Sequence, residues 1–263
     1  MKKIAIFLAL VLSVSVANAW VKHCDEAIVI LASENLTPET KGLLDKYLGT
    51  EYGDDVQYLY ALEKAKKAEH SSEIHFLHLN KKLQPKKVKD DDAYAAIVKS
   101  LKVVSNHAAY PAEEVTTALR IVINLMCDIH HVSNVRIDKI PHSMADFTYK
   151  FPASEMGKGR KKLNSPKWSK TWHNYNTYPR GFSAQYRAYD YRVYLGDRFA
   201  EYSKGTLKDW VKDTGTLAKS YLATFKPDAI VGLVDRLSLN DVNNDQMVKA
   251  SCRLAALLNA TLK

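Results

Sequence analysis

Helical periodicity dominates this sequence and limits its fold more than any other feature. Apolar residues recur three and four positions apart, a spacing that places them on one face of a helix. Alternation typical of strands is scarce, and its best example is the short segment EIHFLHLN at 73–80. We therefore predict an all-α fold, a single mostly helical domain that covers residues 20–263. The segments with helical periodicity are 37–49, 54–67, 91–104, 111–127, 205–225 and 244–263.

The ends of the first of these helices can be predicted from the residues that flank it. Thr37 precedes Pro38, and proline is favoured at the first position of a helix because an N–H there would have no partner. Gly49 follows the last apolar residue, and glycine is the commonest residue just beyond a helix C-terminus. The pattern predicts a helix between Thr37 and Gly49.

Residues 1–19 have the pattern of a secretory signal peptide. Two lysines precede the apolar run IAIFLALVLSVSV, and the small residues ANA follow it. The run is too short for a membrane anchor, and no later run reaches the roughly 18 to 20 apolar residues that a membrane span requires. We expect cleavage before Trp20 and export to the periplasm or the medium, without stable insertion into a membrane.

Charge and cysteine content narrow the class of the protein. The chain has a formal net charge of +9, and it stays moderately basic after the two lysines of the predicted signal peptide are removed. A positive charge favours anionic partners such as nucleic acids or phosphate esters. The three cysteines, Cys24, Cys127 and Cys252, allow at most one internal disulfide, and their spacing does not decide which pair would join.

Two segments have the composition of loops. Residues 80–92 are charged around Pro85, and residues 149–182 are basic and rich in Gly, Pro and Asn. Long loops inside a compact domain are usually functional or disordered. We predict that basic residues of the second loop hold a nucleic-acid strand. These residues are Lys158, Arg160, Lys161 and Lys162.

Tyrosines and arginines are interleaved between Tyr175 and Tyr194. Two interpretations fit this stretch. Aromatic rings among basic groups suit base stacking combined with phosphate contacts. A helix that buries its tyrosines and exposes its arginines would give the same composition.

The segment NLMCDIHHVSN at 124–134 has the composition of a metal site. If 113–128 is one helix, Asn124 and Asp128 are four residues apart and project from the same face, so that two oxygen ligands point the same way. His130 and His131 follow at the helix C-terminus, where the helix dipole favours a protonated imidazole. The alternative to a metal site is therefore that these histidines only complete the end of the helix.

Cleavage before Trp20 would add a nitrogen ligand. Its α-amine would be free, with a reference pKa of about 7.7 to 8.0, and a neutral amine can bind a metal together with its own carbonyl oxygen. Beyond Trp20, the informative segments are AIVILASENLTPET, SSEIHFLHLN, ALRIVINLMCDIHHVSNV and RLAALLN. Through Trp20 and these four segments, the chain resembles the trinuclear-zinc single-strand nucleases of fungi, plants and bacteria (nuclease S-one / nuclease P-one type). The resemblance covers nearly all of the predicted mature chain.

The resemblance implies a fold of the zinc-dependent nuclease and phospholipase C type, with three clustered zinc ions. It implies hydrolysis of phosphodiester bonds in single-stranded DNA or RNA to give 5′-phosphates, and some members also remove 3′-phosphates. Asp128 takes the place of the carboxylate that bridges two metal ions, and we predict it as the catalytic residue. The implied metal ligands are Trp20, Asp25, Glu63, His75, Asn124, Asp128, Asn134 and His173.

Several of these positions depart from the family pattern. Asp25, Asn124 and Asn134 stand where the family has histidine, and Thr177 stands where it has the aspartate partner of His173. Zinc prefers imidazole and thiolate, whereas amide and carboxylate oxygens suit harder ions such as magnesium. We therefore expect up to three zinc ions, or else fewer ions or a harder divalent metal.

Three functions are compatible with the resemblance. The first is an exported metal-dependent phosphodiesterase that acts on single-stranded nucleic acid or on nucleotides. The second is a catalytically impaired descendant that acts as a binding or structural protein. The replaced ligand positions favour this second function. The third is a zinc-dependent phospholipase C, although the segment around Asp128 resembles the nucleases more closely.

Overall fold

The computed structural model describes residues 22–49, 72–89, 91–140, 149–150, 183–226 and 228–263. Within them the fold is all-α, as predicted. The described α-helices are α1 (Lys22–Ser33), α2 (Pro38–Leu48), α3 (Ala93–Val104), α4 (Ala112–Asp128), α5 (Ala184–Leu195), α6 (Phe199–Tyr202), α7 (Leu207–Thr224) and α8 (Leu233–Thr261).

The predicted boundaries of α2 are confirmed. The Thr37 side chain accepts a hydrogen bond from the Thr40 N–H, and Pro38 is the first helical residue. Gly49 ends the helix with a φ of 89°, a conformation that glycine adopts without the steric cost of a Cβ. The helices α3 and α7 are capped in the same way, by the side chains of Asp92 and Thr206.

The last helix begins well before the predicted start at residue 244. Helix α8 starts at Leu233, and the Asp235 carboxylate accepts a hydrogen bond from the Gly232 N–H just before it. Serine, asparagine and aspartate are frequent in its first half, and these residues have weak helix propensity because their side chains compete for backbone hydrogen bonds. Local composition therefore concealed this part of the helix.

The described strands are short and form two parallel pairs. Strand β1 (Leu77–Leu79) pairs with β2 (Val135–Ile137), and β3 (Tyr149–Lys150) pairs with β4 (Ala229–Ile230). The strand predicted at 73–80 is shorter than expected because Ser72–His75 forms a 3₁₀ turn. The predicted helix at 54–67 and most of the predicted loop at 149–182 lie outside the described residues.

Two apolar clusters hold the described elements together. In the first, α3 and α4 pack against each other and against β1, β2 and α7. In the second, α1 packs on α5 and α8. Helix α7 approaches β1 so closely that a Cβ at Gly215 would overlap the side chain of Leu79. Each fully buried Leu or Ile in these clusters stabilises the fold by about 1.5 to 3 kcal/mol relative to an exposed one.

The three cysteines are all free thiols inside the second cluster. Burial raises the pKa of Cys24 to about 12 and that of Cys252 to about 12, so both are protonated at neutral pH. Of the helices in the described ranges, none is long and apolar enough to cross a membrane.

Helix α5 contradicts the interpretation that tyrosines are buried and arginines exposed. Arg187 is buried, with 1% of its surface accessible, whereas Tyr186, Tyr189 and Tyr194 are exposed by 45%, 55% and 40%. Within this helix, Tyr191 is the only tyrosine that is buried, as that interpretation expects. The aromatic face of α5 is therefore turned largely toward solvent.

Candidate functional site

The candidate site is centred on a buried histidine–carboxylate pair. His75 Nδ1 lies 2.8 Å from Asp128 Oδ2, and both residues are 3% exposed. Asp128 is the last residue of α4, and His75 ends the 3₁₀ turn that leads into β1. Strand β2 follows soon after α4 and pairs with β1, so the sheet pairing brings the two chain segments together.

The amide side chains predicted as ligands are buried in the same part of the fold. Asn124 lies one helical turn before Asp128, and both are buried, as the four-residue spacing predicted. Asn134 lies directly before β2, and its Nδ2 is buried without a hydrogen-bond partner among the described residues. Buried polar atoms are rarely left without a partner, so Asn134 marks a place where a further group would be stabilised.

Asp25 belongs to a different helix from these residues. It lies in the first turn of α1, is 2% exposed, and enters the interior because α1 packs on α4. The remaining predicted ligands, Trp20, Glu63 and His173, lie outside the described residues. So do the four predicted nucleic-acid contacts in the loop at 158–162.

The hydrogen bond between His75 and Asp128 determines what the imidazole can do. An ionised carboxylate only accepts hydrogen bonds, so the bond assigns a proton to Nδ1 of His75. Nε2 is then the nitrogen that carries the lone pair of the neutral ring. A histidine held in this way can bind a metal ion through Nε2, or accept a proton there.

The described residues supply only part of the predicted set of metal ligands. The described ranges contain no group of three or more His, Cys, Asp and Glu side chains that could hold a metal ion. His75 supplies the one imidazole that they contribute to the predicted ligand set, and amides replace two others. Zinc is held mainly by imidazole, thiolate and carboxylate, and because three predicted ligands lie outside the described residues, the number and kind of metal ions stay a prediction.

His130, two residues after Asp128, has a structural role. Its Nδ1 donates to the Met126 carbonyl at 2.8 Å, and its Nε2 accepts from Arg253 Nη1 at 3.2 Å. Burial lowers the pKa of His130 to about 3, and the positive charge of Arg253 adds to this. The expectation of a protonated imidazole at this helix end is therefore wrong for His130, because desolvation outweighs the helix dipole.

Arg253 completes this network and was not predicted from the sequence. Its Nη2 lies 2.6 Å from Asp213 Oδ2, and its Nε donates to the Tyr202 carbonyl at 3.2 Å. The available signal was the arginine that begins the mostly apolar tail segment RLAALLN. His131 is also fully buried, and its Nδ1 lies 2.7 Å from the Ser133 hydroxyl.

The exposed tyrosines of α5 fit the other interpretation of this segment, in which aromatic rings stack on bases. The guanidinium carbon of Arg192 lies 5.9 Å from the centre of the Tyr189 ring, and that of Arg198 lies 4.9 Å from the Tyr194 ring. Stacking rings that alternate with cations suit a single-stranded nucleic acid.

No protein-family model matches the chain, and no curated protein is significantly similar to it.

Proposed function

We propose that this protein is an exported, metal-dependent phosphodiesterase that cleaves single-stranded nucleic acid to give 5′-phosphates. The observation that carries the proposal is the buried His75–Asp128 pair, with 2.8 Å between Nδ1 and Oδ2. These two residues are 53 positions apart in the sequence, and the resemblance to the zinc-dependent nucleases implied both as members of one site.

A bound divalent ion would lower the pKa of its water and so supply a nucleophile at neutral pH. Asp128 holds the Nδ1–H tautomer of His75 and fixes the plane of its ring. His75 would hold such an ion through Nε2. Both side chains of the pair are buried, at 3% exposure each, and exclusion of water strengthens the electrostatic interactions between them.

The substrate class follows from charge and from exposed rings. The chain has a net charge of +9 and stays basic without the two lysines of the predicted signal peptide, which favours a polyanion. Tyr186 and Tyr189 on the exposed face of α5 supply rings that can stack only on unpaired bases. Single-stranded DNA or RNA meets both requirements.

A second candidate function is a binding protein that has lost its catalytic activity. It is favoured by Asn124 and Asn134, two buried amides at positions where the related nucleases have imidazoles. Such a protein would keep the fold and the basic surface and would bind single strands without cleaving them.

The decisive experiment measures metal content and cleavage on the same sample of protein that begins at Trp20. Elemental analysis gives the metal per chain, and a labelled single-stranded oligonucleotide reports cleavage with chelator, with added zinc and with added magnesium. We expect cleavage that chelator abolishes and that His75→Ala reduces at least 100-fold. His107→Ala is the matched control, because His107 contacts Tyr47 away from the site, and it should keep full activity.

The alternatives give different results in this experiment. Tight binding of the oligonucleotide without cleavage, with less than one metal per chain, would establish the binding protein instead. Faster release of phosphocholine from lecithin than of nucleotides would identify a phospholipase C. N-terminal sequencing of the exported protein tests the predicted cleavage before Trp20.

A further inference from the structure

Helices α7 and α8 leave a groove between them that contains neither His75 nor Asp128 and shares only Tyr194 with the aromatic face of α5. Its volume is about 670 Å³, and Tyr194 at the end of α5 lies along its side. The groove does not depend on the proposed function. Its lining includes Asp213, which bonds to Arg253 on the side away from His130, and it does not include the His75–Asp128 pair.

The groove is acidic although the chain as a whole is basic. Three carboxylates line it, from Asp213, Asp241 and Asp245, against the single ammonium of Lys249. Lys249 Nζ is already bonded to Asp245 Oδ2 at 2.7 Å. Asp241 is exposed, and its carboxylate makes no hydrogen bond or ion pair with any described residue. Such a surface attracts cations and repels a phosphate backbone.

A buried acceptor in the wall of the groove has no partner. Gln246 is 2% exposed, and its Oε1 makes no hydrogen bond to any described residue. Gln246 lines the groove, so a rotation of its side chain would turn this oxygen toward a ligand there. A ligand that donates a hydrogen bond, such as an ammonium group, would satisfy it.

The carboxylates are spread along the groove and do not converge on one point. Asp241 and Asp245 are one helical turn apart on α8, about 6 Å along its axis. Asp213 lies on α7 at the end of the groove next to Arg253, 2.6 Å from its guanidinium. The described ranges hold no group of acidic side chains that could bind a metal ion. This arrangement suits a ligand with several separated positive charges better than a single ion.

Apolar groups lie between the charged ones. Leu217 from α7 and Val242 from α8 line the groove, and the ring of Tyr194 is 40% exposed beside it. Methylene groups pack on such surfaces, and the ring face also attracts a cation. The wall therefore alternates between acceptors for ammonium groups and surface for short alkyl chains.

We propose that this groove binds a linear aliphatic polyamine. One ammonium group donates to Gln246 Oε1 and pairs with Asp241. A second ammonium pairs with Asp213 at the other end, and the methylene groups between them pack on Leu217 and Val242.

Isothermal titration calorimetry of the intact mature protein tests the ligand class. Spermidine should bind saturably at one molecule per chain, putrescine more weakly because it has fewer charges, and Mg²⁺ at least about tenfold more weakly than spermidine. No saturable binding of spermidine would overturn the proposal, and so would tighter binding of Mg²⁺. Tighter binding of trilysine than of spermidine would also overturn it, by assigning the groove to lysine side chains of a protein partner.

Two variants locate the site. Asp241→Asn should weaken spermidine binding about threefold, the scale of an exposed ion pair, and Gln246→Leu about tenfold, the scale of a hydrogen bond to a charged group. Asp91→Asn is the control, because Asp91 is also an exposed carboxylate (55% of its side chain) but lies before α3. Equal binding by Asp241→Asn and Asp91→Asn would overturn the proposal, and it would do so even if Gln246→Leu failed to fold.

Discussion

Asp128 and His130 are two residues apart, yet they belong to two polar networks with opposite properties. Asp128 faces β1 and pairs with His75, so an acid and a base meet there. His130 faces α8 and stays neutral, held between the Met126 carbonyl and the Arg253 guanidinium. The first pair can exchange a proton or bind a metal ion, whereas the second can do neither without losing the hydrogen bonds that hold it.

The comparison shows that a polar cluster in a sequence is not one unit of function. The segment from Met126 to His131 turns at the end of α4, and successive side chains therefore enter different parts of the interior. The role of each side chain depends on the residue to which it is hydrogen-bonded. Arg253 makes His130 structural, and a carboxylate makes His75 a candidate ligand or base.

Replacing Asp128 should have the largest effect. Asp128→Asn keeps the shape of the side chain but removes the charge that holds the Nδ1–H tautomer of His75. We expect activity on single-stranded oligonucleotides to fall at least 100-fold, with a stability loss of about 1 to 3 kcal/mol for the altered buried hydrogen bond. Single-turnover assays and urea denaturation on the same sample measure both. Asp138→Asn, a half-exposed carboxylate bonded to Lys86, is the control, and retained activity in Asp128→Asn contradicts the assigned role.

Removing Arg253 should destabilise the fold without a direct effect on the chemistry. Arg253→Met keeps the apolar stem but leaves the His130 Nε2 acceptor and the Tyr202 carbonyl without their donor. We expect a loss of about 1 to 3 kcal/mol in the free energy of unfolding, measured by urea denaturation. Lys249→Met, one helical turn earlier, removes a partly exposed ion pair and should cost less than about 1 kcal/mol. Equal losses in the two variants would show that the Arg253 network is not structural.

The neutral state of His130 should appear in the pH dependence of stability. The pKa of His130 is about 3 in the folded protein, against an ordinary value of 6.5. Between these pH values the unfolded chain binds a proton that the folded chain does not, so acidification favours unfolding. His130→Gln removes this contribution, up to about 1.4 kcal/mol per pH unit. Denaturation at pH 7, 6, 5 and 4 should give a shallower loss for the variant, and parallel curves would contradict the neutral assignment.

The smallest effect is expected at Cys127, the residue between Met126 and Asp128. Its thiol is buried in the second apolar cluster and donates to the Ile123 carbonyl. Cys127→Ala should cost about 1 kcal/mol of stability, typical of a small loss in a core, and should leave cleavage unchanged. A loss of activity with unchanged stability would connect the thiol with the His75–Asp128 pair.

The fold could be predicted where local spacing determines it. The helix expected at 113–128 is found at Ala112–Asp128, and Asn124 and Asp128 share its buried face. The start of α8 was missed because serine, asparagine and aspartate weaken the helical pattern after Leu233. At the site, the resemblance placed His75 and Asp128 in one set of ligands but did not predict the hydrogen bond between them, since no spacing rule relates residues on a 3₁₀ turn and a helix. The role of His130 needed Arg253, which is 123 positions away.

These separations have a consequence for how the molecule forms. Helix α4 needs only local contacts, but each network closes a long loop, of 53 positions in one case and 123 in the other. The entropy cost of closing such loops must be met before their contacts contribute. A partly folded chain can therefore have most of its helices and neither network. Far-ultraviolet circular dichroism would register such a chain as nearly native, while every pocket that depends on tertiary pairing would be missing from it.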